Sequence, residues 1–244
     1  MSSLPKLLGL GCLAIIVIVL LEGSLLDPTP DFADFPAGED RKQAFIGYFA
    51  PLIREVNSHI EKERQSVLAM RTEADNLSAA QQRTLSRLAE HYGLRDFDPQ
   101  HPDWNALLAR IDTIPVSLAL AQGANESAWG TSRFARDGHN FFGQWCYTPG
   151  CGLVPKNRPA GQTHEVASFS DAEASVASYI ANLNRNPAYR ELRVLREQLE
   201  QNQNPITGLT LADGLVSYSE RGQAYVSDIK AMIRTNNLQR FDTN

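Results

Sequence analysis

Clusters of basic residues are missing from this 244-residue sequence, in which 23 Lys and Arg stand against 28 Asp and Glu for a formal net charge of −5. With no basic patch to neutralise phosphates, the composition argues against a nucleic-acid partner. A glycine-rich phosphate loop is also missing; the glycines fall at turns and helix ends, and no cofactor is implied. His139 and His164 have no nucleophile in a recognisable elbow beside them, so they read as surface or hydrogen-bonded loop histidines. Cysteine is scarce, with three in all. Cys146 and Cys151 form a C-x4-C pair near His139 and His164, but no second Cys/His pair stands at ligand spacing, so no metal is expected. Internal repeats and low-complexity segments are absent.

What is present suits a folded protein, with 43% hydrophobic residues. The length fits one main domain with a helical extension, or two small domains. Lys6 precedes an uncharged apolar run over residues 7–21, which reads as an export signal or a signal anchor within residues 1–26. No A-x-A cleavage site follows it, which favours an anchor and an envelope, periplasmic location with a tether to the inner membrane. Cys146 and Cys151 flank Tyr-Thr-Pro-Gly, a turn that brings its ends together, so the two can pair as a disulfide across a hairpin mouth. Two free thiols on a loop are the alternative; an exported location would let the bond persist.

Residues 27–40 are rich in Pro and Asp and read as a linker. Phe45, Phe49, Leu52, Ile53, Val56 and Ile60 recur at helical spacing, which predicts a helix over 41–72 with a break near Pro51. Ser78 and Gln81 form a capping box, and Gly93 is the stop. Asp103 caps a short helix through Leu108. Thr113 and Pro115 then introduce VSLALAQGA, apolar on nearly every face, as expected of a central buried helix. After it, QWCYTPGCGLVP resembles two short strands around a turn, and HEVASF a third strand. Ser170 and Glu173 form a second capping box. Later helices carry Val176, Tyr179, Ile180 and Leu183, then Leu192, Leu195 and Leu199, then Leu211, Leu215 and Tyr218, and finally Tyr225, Ile229, Met232 and Ile233. The fold class expected is mainly α (α+β). It comprises a helical N-terminal region over 41–100 and a helical domain over 101–244 with a small β-hairpin lobe.

Glu126 ends the apolar helix. A carboxylate there is out of place unless paired or used. Burial and the negative end of a helix dipole both favour the protonated form of a carboxyl. Glycoside cleavage needs such an acid to protonate the leaving oxygen. A solvent-exposed Glu at a helix end is the plain alternative. Trp129, Phe142 and Trp145 offer flat apolar faces near the same loop, on which sugar C–H faces can stack; the alternative for them is core packing.

AQGANESAWGTSRFARDGHNFFGQW resembles the signature of glucosaminidase-domain proteins, the flagellar-rod and autolysin type of peptidoglycan hydrolase, with E-S-x-W-G followed by N-x-F-G. With GCGLVP, HEVASF, YIANLNRNPAYRELR and YSERGQAYVSDIKAMI, the pattern is similar to the Bax-type members of bacterial envelopes over roughly residues 41–244. The resemblance implies a lysozyme-like fold and an endo-β-N-acetylglucosaminidase that hydrolyses β-1,4 bonds after N-acetylglucosamine in peptidoglycan or a related glycan. It puts the general acid on Glu126 and substrate contacts on Trp129, Asn140, Phe142 and Trp145. For the second catalytic group it offers Tyr218, the late tyrosine, and Glu165. Glu165 is the one carboxylate between Gln144 and Phe169, though it is off the strand position that related enzymes use. Tyr225 reads as core. A lytic transglycosylase and a non-catalytic glycan-binding envelope protein are the alternatives.

Overall fold

The computed structural model describes residues 28–159 and 161–242. The expected signal or anchor lies outside them. Among the described residues no helix is long and apolar enough to cross a membrane.

Helix α1 (Glu39–Thr72) buries Phe45, Phe49, Leu52, Ile53, Val56 and Ile60 along one stripe. The break expected near Pro51 does not occur, and the helix runs unbroken for 34 residues. Pro51 and Gly47 are both exposed. The Gly47 carbonyl, deprived of its i+4 donor, therefore faces water, which can satisfy it. The Pro/Asp-rich stretch expected as a linker is docked on the protein. Its short 3-10 turn (Phe32–Asp34) inserts Phe32 beside Phe45, Phe49 and Phe141, and Asp31 pairs with Arg136 at 2.8 Å.

Helix α2 (Ala79–His91) opens on the Ser78–Gln81 capping box, and α3 (Trp104–Leu108) on Asp103, whose Oδ1 accepts from the Ala106 amide. Helix α4 (Val116–Ser127) is buried from Val116 to Ala124 and packs against α1, α8 and α9. Helix α5 (Arg133–Gly138) leads into the β lobe. Helix α6 (Ala172–Arg185) is capped by Asp171 rather than Ser170: Asp171 Oδ1 accepts from the Ala174 amide at 2.8 Å, and Ser170 donates to the other oxygen. A carboxylate is the stronger acceptor at a positive helix end. Helix α7 (Arg190–Gln201) follows. The single helix expected over Leu211–Tyr218 is instead a one-turn α8 (Gly208–Leu211) and a 3-10 segment (Ala212–Tyr218). Three residues per turn align Ala212, Leu215 and Tyr218 on one face. Helix α9 (Gln223–Thr235) completes the helical body.

The β lobe departs from the expected hairpin. Strands β1 (Trp145–Cys146) and β2 (Gly152–Leu153) do not pair with each other. Each pairs antiparallel with β3 (Glu165–Ala167), in the order β1-β3-β2, with Cys146 opposite Glu165 and Gly152 opposite Ala167. The architecture is mainly α with a small antiparallel sheet, the lysozyme-like layout, and α1 shares one hydrophobic core with α4, α6 and α9.

Candidate active site

Three residues with positive φ follow Glu126 almost at once: Ala128 at 51°, Trp129 at 58° and Gly130 at 80°. This left-handed run ends α4 abruptly. Ser127 ties it down, its hydroxyl donating to Gly123 O at 2.5 Å and accepting from the Gly130 amide at 2.8 Å. A Cβ on Gly130 would lie 2.3 Å from Phe32 Cδ2, so glycine is needed there on two counts. The turn swings Trp129 away from the cleft and onto α1, edge-on to Phe45 and beneath Lys42. Trp129 is thus a packing residue here, contrary to the expected sugar platform.

The N-x-F-G stretch forms a second bracket. Asn140 is buried; its amide donates to Gln144 O and Ala167 O, and its carbonyl accepts from the Gln144 amide. With all those bonds inside the protein, Asn140 shapes the loop and does not line the cleft, which corrects its expected contact with substrate. Phe142 is buried and stacks on Tyr179 with centroids 4.1 Å apart, forming the cleft floor. Gly143 has φ 64°, and a Cβ there would stand 3.4 Å from Glu126 Oε2. The motif works as scaffold: most of its residues hold Glu126 at the base of a cavity and keep the space beside it clear.

That cavity has a volume of about 810 Å³ and lies between the α6 face, the β lobe and the Tyr218–Arg221 turn. Glu126 is half-buried at its base. Oε1 accepts from the Tyr225 hydroxyl at 2.9 Å and from Asn125 Nδ2 at 3.1 Å. Behind Tyr225, Gln122 Nε2 donates to the Tyr225 oxygen at 2.9 Å, and the Tyr179 hydroxyl donates to Gln122 Oε1 at 2.6 Å. Burial, and then the charge of Glu126, push the Tyr225 hydroxyl well above the usual tyrosine range, so it keeps its proton and acts as a donor. Tyr225 is therefore more than the core residue expected. Tyr218 lines the cleft, stacked on Tyr225 at 5.4 Å and 7°, and its hydroxyl donates to Phe142 O at 2.9 Å rather than to Glu126.

Trp145 is 57% exposed, lies flat on His164 at 4.2 Å, and with the 69% exposed Tyr147 forms an aromatic rim of the cleft. Tyr147 carries no sequence signal beyond its place between the two cysteines. Those cysteines, Cys146 and Cys151, are joined in a disulfide. Glu165 is buried, and its two oxygens accept from the Gly150 and Gly152 amides at 3.1 and 2.9 Å. These bonds hold its carboxyl below the usual carboxylate range. It does not line the cleft; it clamps the disulfide loop, and a catalytic role is not supported by this position. Cys146, Cys151 and Glu165 cluster closely enough to suggest a metal site, but the sulfurs are bonded to each other. Of the described residues that line the cleft, Glu126 and Glu220 carry carboxylates.

Comparison with known proteins adds two findings. The glucosaminidase family model, described as mannosyl-glycoprotein endo-beta-N-acetylglucosaminidase, matches residues 101–238. The chain is 33% identical over 208 residues to "Protein bax" of Escherichia coli (strain K12), a match covering 85% of this chain and 74% of that protein. No solved structure matches.

Proposed function

From the premise that the chain belongs to the glucosaminidase family, among its Bax-type members, we propose that it is an endo-β-N-acetylglucosaminidase with Glu126 as general acid. The family points to a glycan-cleaving role connected with peptidoglycan. Our reading adds the bond: the β-1,4 linkage after N-acetylglucosamine in peptidoglycan or a related glycan. One observation carries it. Glu126 has one oxygen held by Tyr225 and Asn125, and the other beside Gly143 at the cleft base.

Tyr225 and Asn125 donate to Oε1, so the acidic proton belongs on Oε2. Oε2–H protonates the glycosidic oxygen as the C1–O bond breaks. Glu165 is clamped to backbone amides, so a nucleophilic carboxylate from the β lobe is not at hand. The substrate's 2-acetamido oxygen attacks C1 instead, forming a cyclic oxazolinium ion. The leaving sugar departs as the alcohol with that proton; water then adds at C1 and opens the ring, and the Glu126 carboxylate takes the proton that the water loses. Tyr218 walls the cleft, and its oxygen keeps an acceptor lone pair for the acetamido N–H. Trp145 and Tyr147 supply the stacking faces for the sugars.

Replacing Glu126 with Gln should abolish release of reducing N-acetylglucosamine ends from purified peptidoglycan, and retained release would refute the assignment. A 1,6-anhydro product in place of a reducing end would mark a lytic transglycosylase. Strand binding by the wild type without turnover would mark a non-catalytic glycan-binding protein. The envelope is the place for this chemistry, and fractionation with and without residues 1–26 tests the proposed membrane tether.

A further inference from the structure

The cleft does not stop at the β lobe. A neighbouring hollow of about 860 Å³ shares Asn182, Arg185 and Asn186 with it and continues onto the segment Gly93–Phe97 between α2 and α3. Helix α6 is the common wall. Ser178, Asn182 and Arg185 follow one another along one of its faces for about 10 Å. The bend carrying the second hollow is pinned to that wall: Arg110 donates to Tyr92 O and Arg185 O, both at 2.9 Å.

The two ends differ in charge. Glu126 and Glu220 line the reacting end, where Arg221 is engaged with Asp228 at 2.7 Å. Arg95, Arg110 and Arg185 line the far end with Asp96 and Asp103. Asp103 is turned to its own helix, capping α3. Arg95 and Arg185 are exposed, and their guanidiniums make no hydrogen bond or ion pair with the described residues. Guanidinium forks left unpaired along a groove match carboxylates in geometry and charge.

We propose that the groove past Arg185 is a binding site for acidic substituents of the glycan strand, such as the carboxylates of a peptide stem, with Arg185 and Arg95 as the recognising groups. The inference rests on the glycan reading of the cleft but not on its catalysis. It gives the α2–α3 segment, upstream of the family match, a part in substrate choice: acidic strands over neutral ones.

Equilibrium binding separates this from turnover. Soluble peptidoglycan strands with peptide stems, and neutral N-acetylglucosamine oligomers of equal length, are titrated against the full chain carrying Glu126→Gln. The acidic strands should bind about tenfold more tightly, the worth of a charge-assisted hydrogen bond. The preference should fade at high salt. Adding Arg95→Gln and Arg185→Gln should abolish the difference between the two ligands, and Arg185→Lys should keep part of it. Equal binding of both ligands, binding of neither, or a preference that survives the double substitution would overturn the proposal. An absence of turnover in the wild type, with the Arg-dependent preference intact, would count against the glycosidase alone.

Discussion

The Tyr225 hydroxyl lies 2.9 Å from Glu126 Oε1, at the end of a buried relay that runs from Tyr179 through Gln122. The relay makes one carboxylate oxygen an acceptor and leaves the other for the cleft. Tyr225 itself is a positioning residue, since it reaches substrate only through Glu126.

Tyr225→Phe removes that donor and little volume. A hydrogen bond to a charged group contributes about 1.5–3 kcal/mol, so kcat should fall about 10- to 100-fold. KM should stay within about twofold, because the aromatic rim proposed to stack the sugars is untouched. Steady-state kinetics on purified peptidoglycan check this, and a change confined to KM would contradict it.

Gly130→Ala combines a positive φ of 80° with a Cβ placed 2.3 Å from Phe32. Left-handed strain and overpacking together should cost about 2–4 kcal/mol of stability. The urea midpoint should move down at unchanged slope. An unaltered midpoint would mean that the Phe32 segment does not rest on this turn.

Glu165 has its carboxyl held below the ordinary range by the Gly150 and Gly152 amides. A depressed folded value contributes stability above the unfolded carboxyl pKa of about 4.3, and that contribution is lost as pH falls through the folded value. The disulfide loop that Glu165 clamps, next to Trp145, should therefore loosen only under acid conditions. Trp145 fluorescence followed from pH 6 to pH 2 should show this transition, and Glu165→Gln should remove it. A transition of the same form in the variant would assign it to another group.

Much of the helical body was legible in the sequence because its determinants are local. The stripe from Phe45 to Ile60, the Ser78–Gln81 box and the Asp103 cap each lie within a few turns of chain. The place of Glu126 was legible too, since a carboxylate ending a helix apolar on nearly every face contradicts its surroundings. The sheet order was not. Strands of two or three residues carry no readable period, and their pairing is set by β3, some twenty residues downstream of β1. Tyr225 reads as core from its spacing to Ile229, and its ring is core, but its hydroxyl meets a partner 99 residues away that no local pattern reveals. Trp129 misled for the complementary reason: an aromatic beside the acid looks like a sugar platform, but the left-handed turn at Ala128 points it at α1.

The two banks of the cleft are built differently. Helix α4 is enclosed by the core from Val116 to Ala124, so the acid sits on a bank whose amides should exchange with solvent only when the whole protein unfolds. The opposite bank rests on strands of two or three residues, one disulfide and one clamped carboxylate. Its shape depends on those few links rather than on an enclosed helix. On the proposed glycan reading, adjustment to strands of different girth would fall to the aromatic rim, while Glu126 keeps its place.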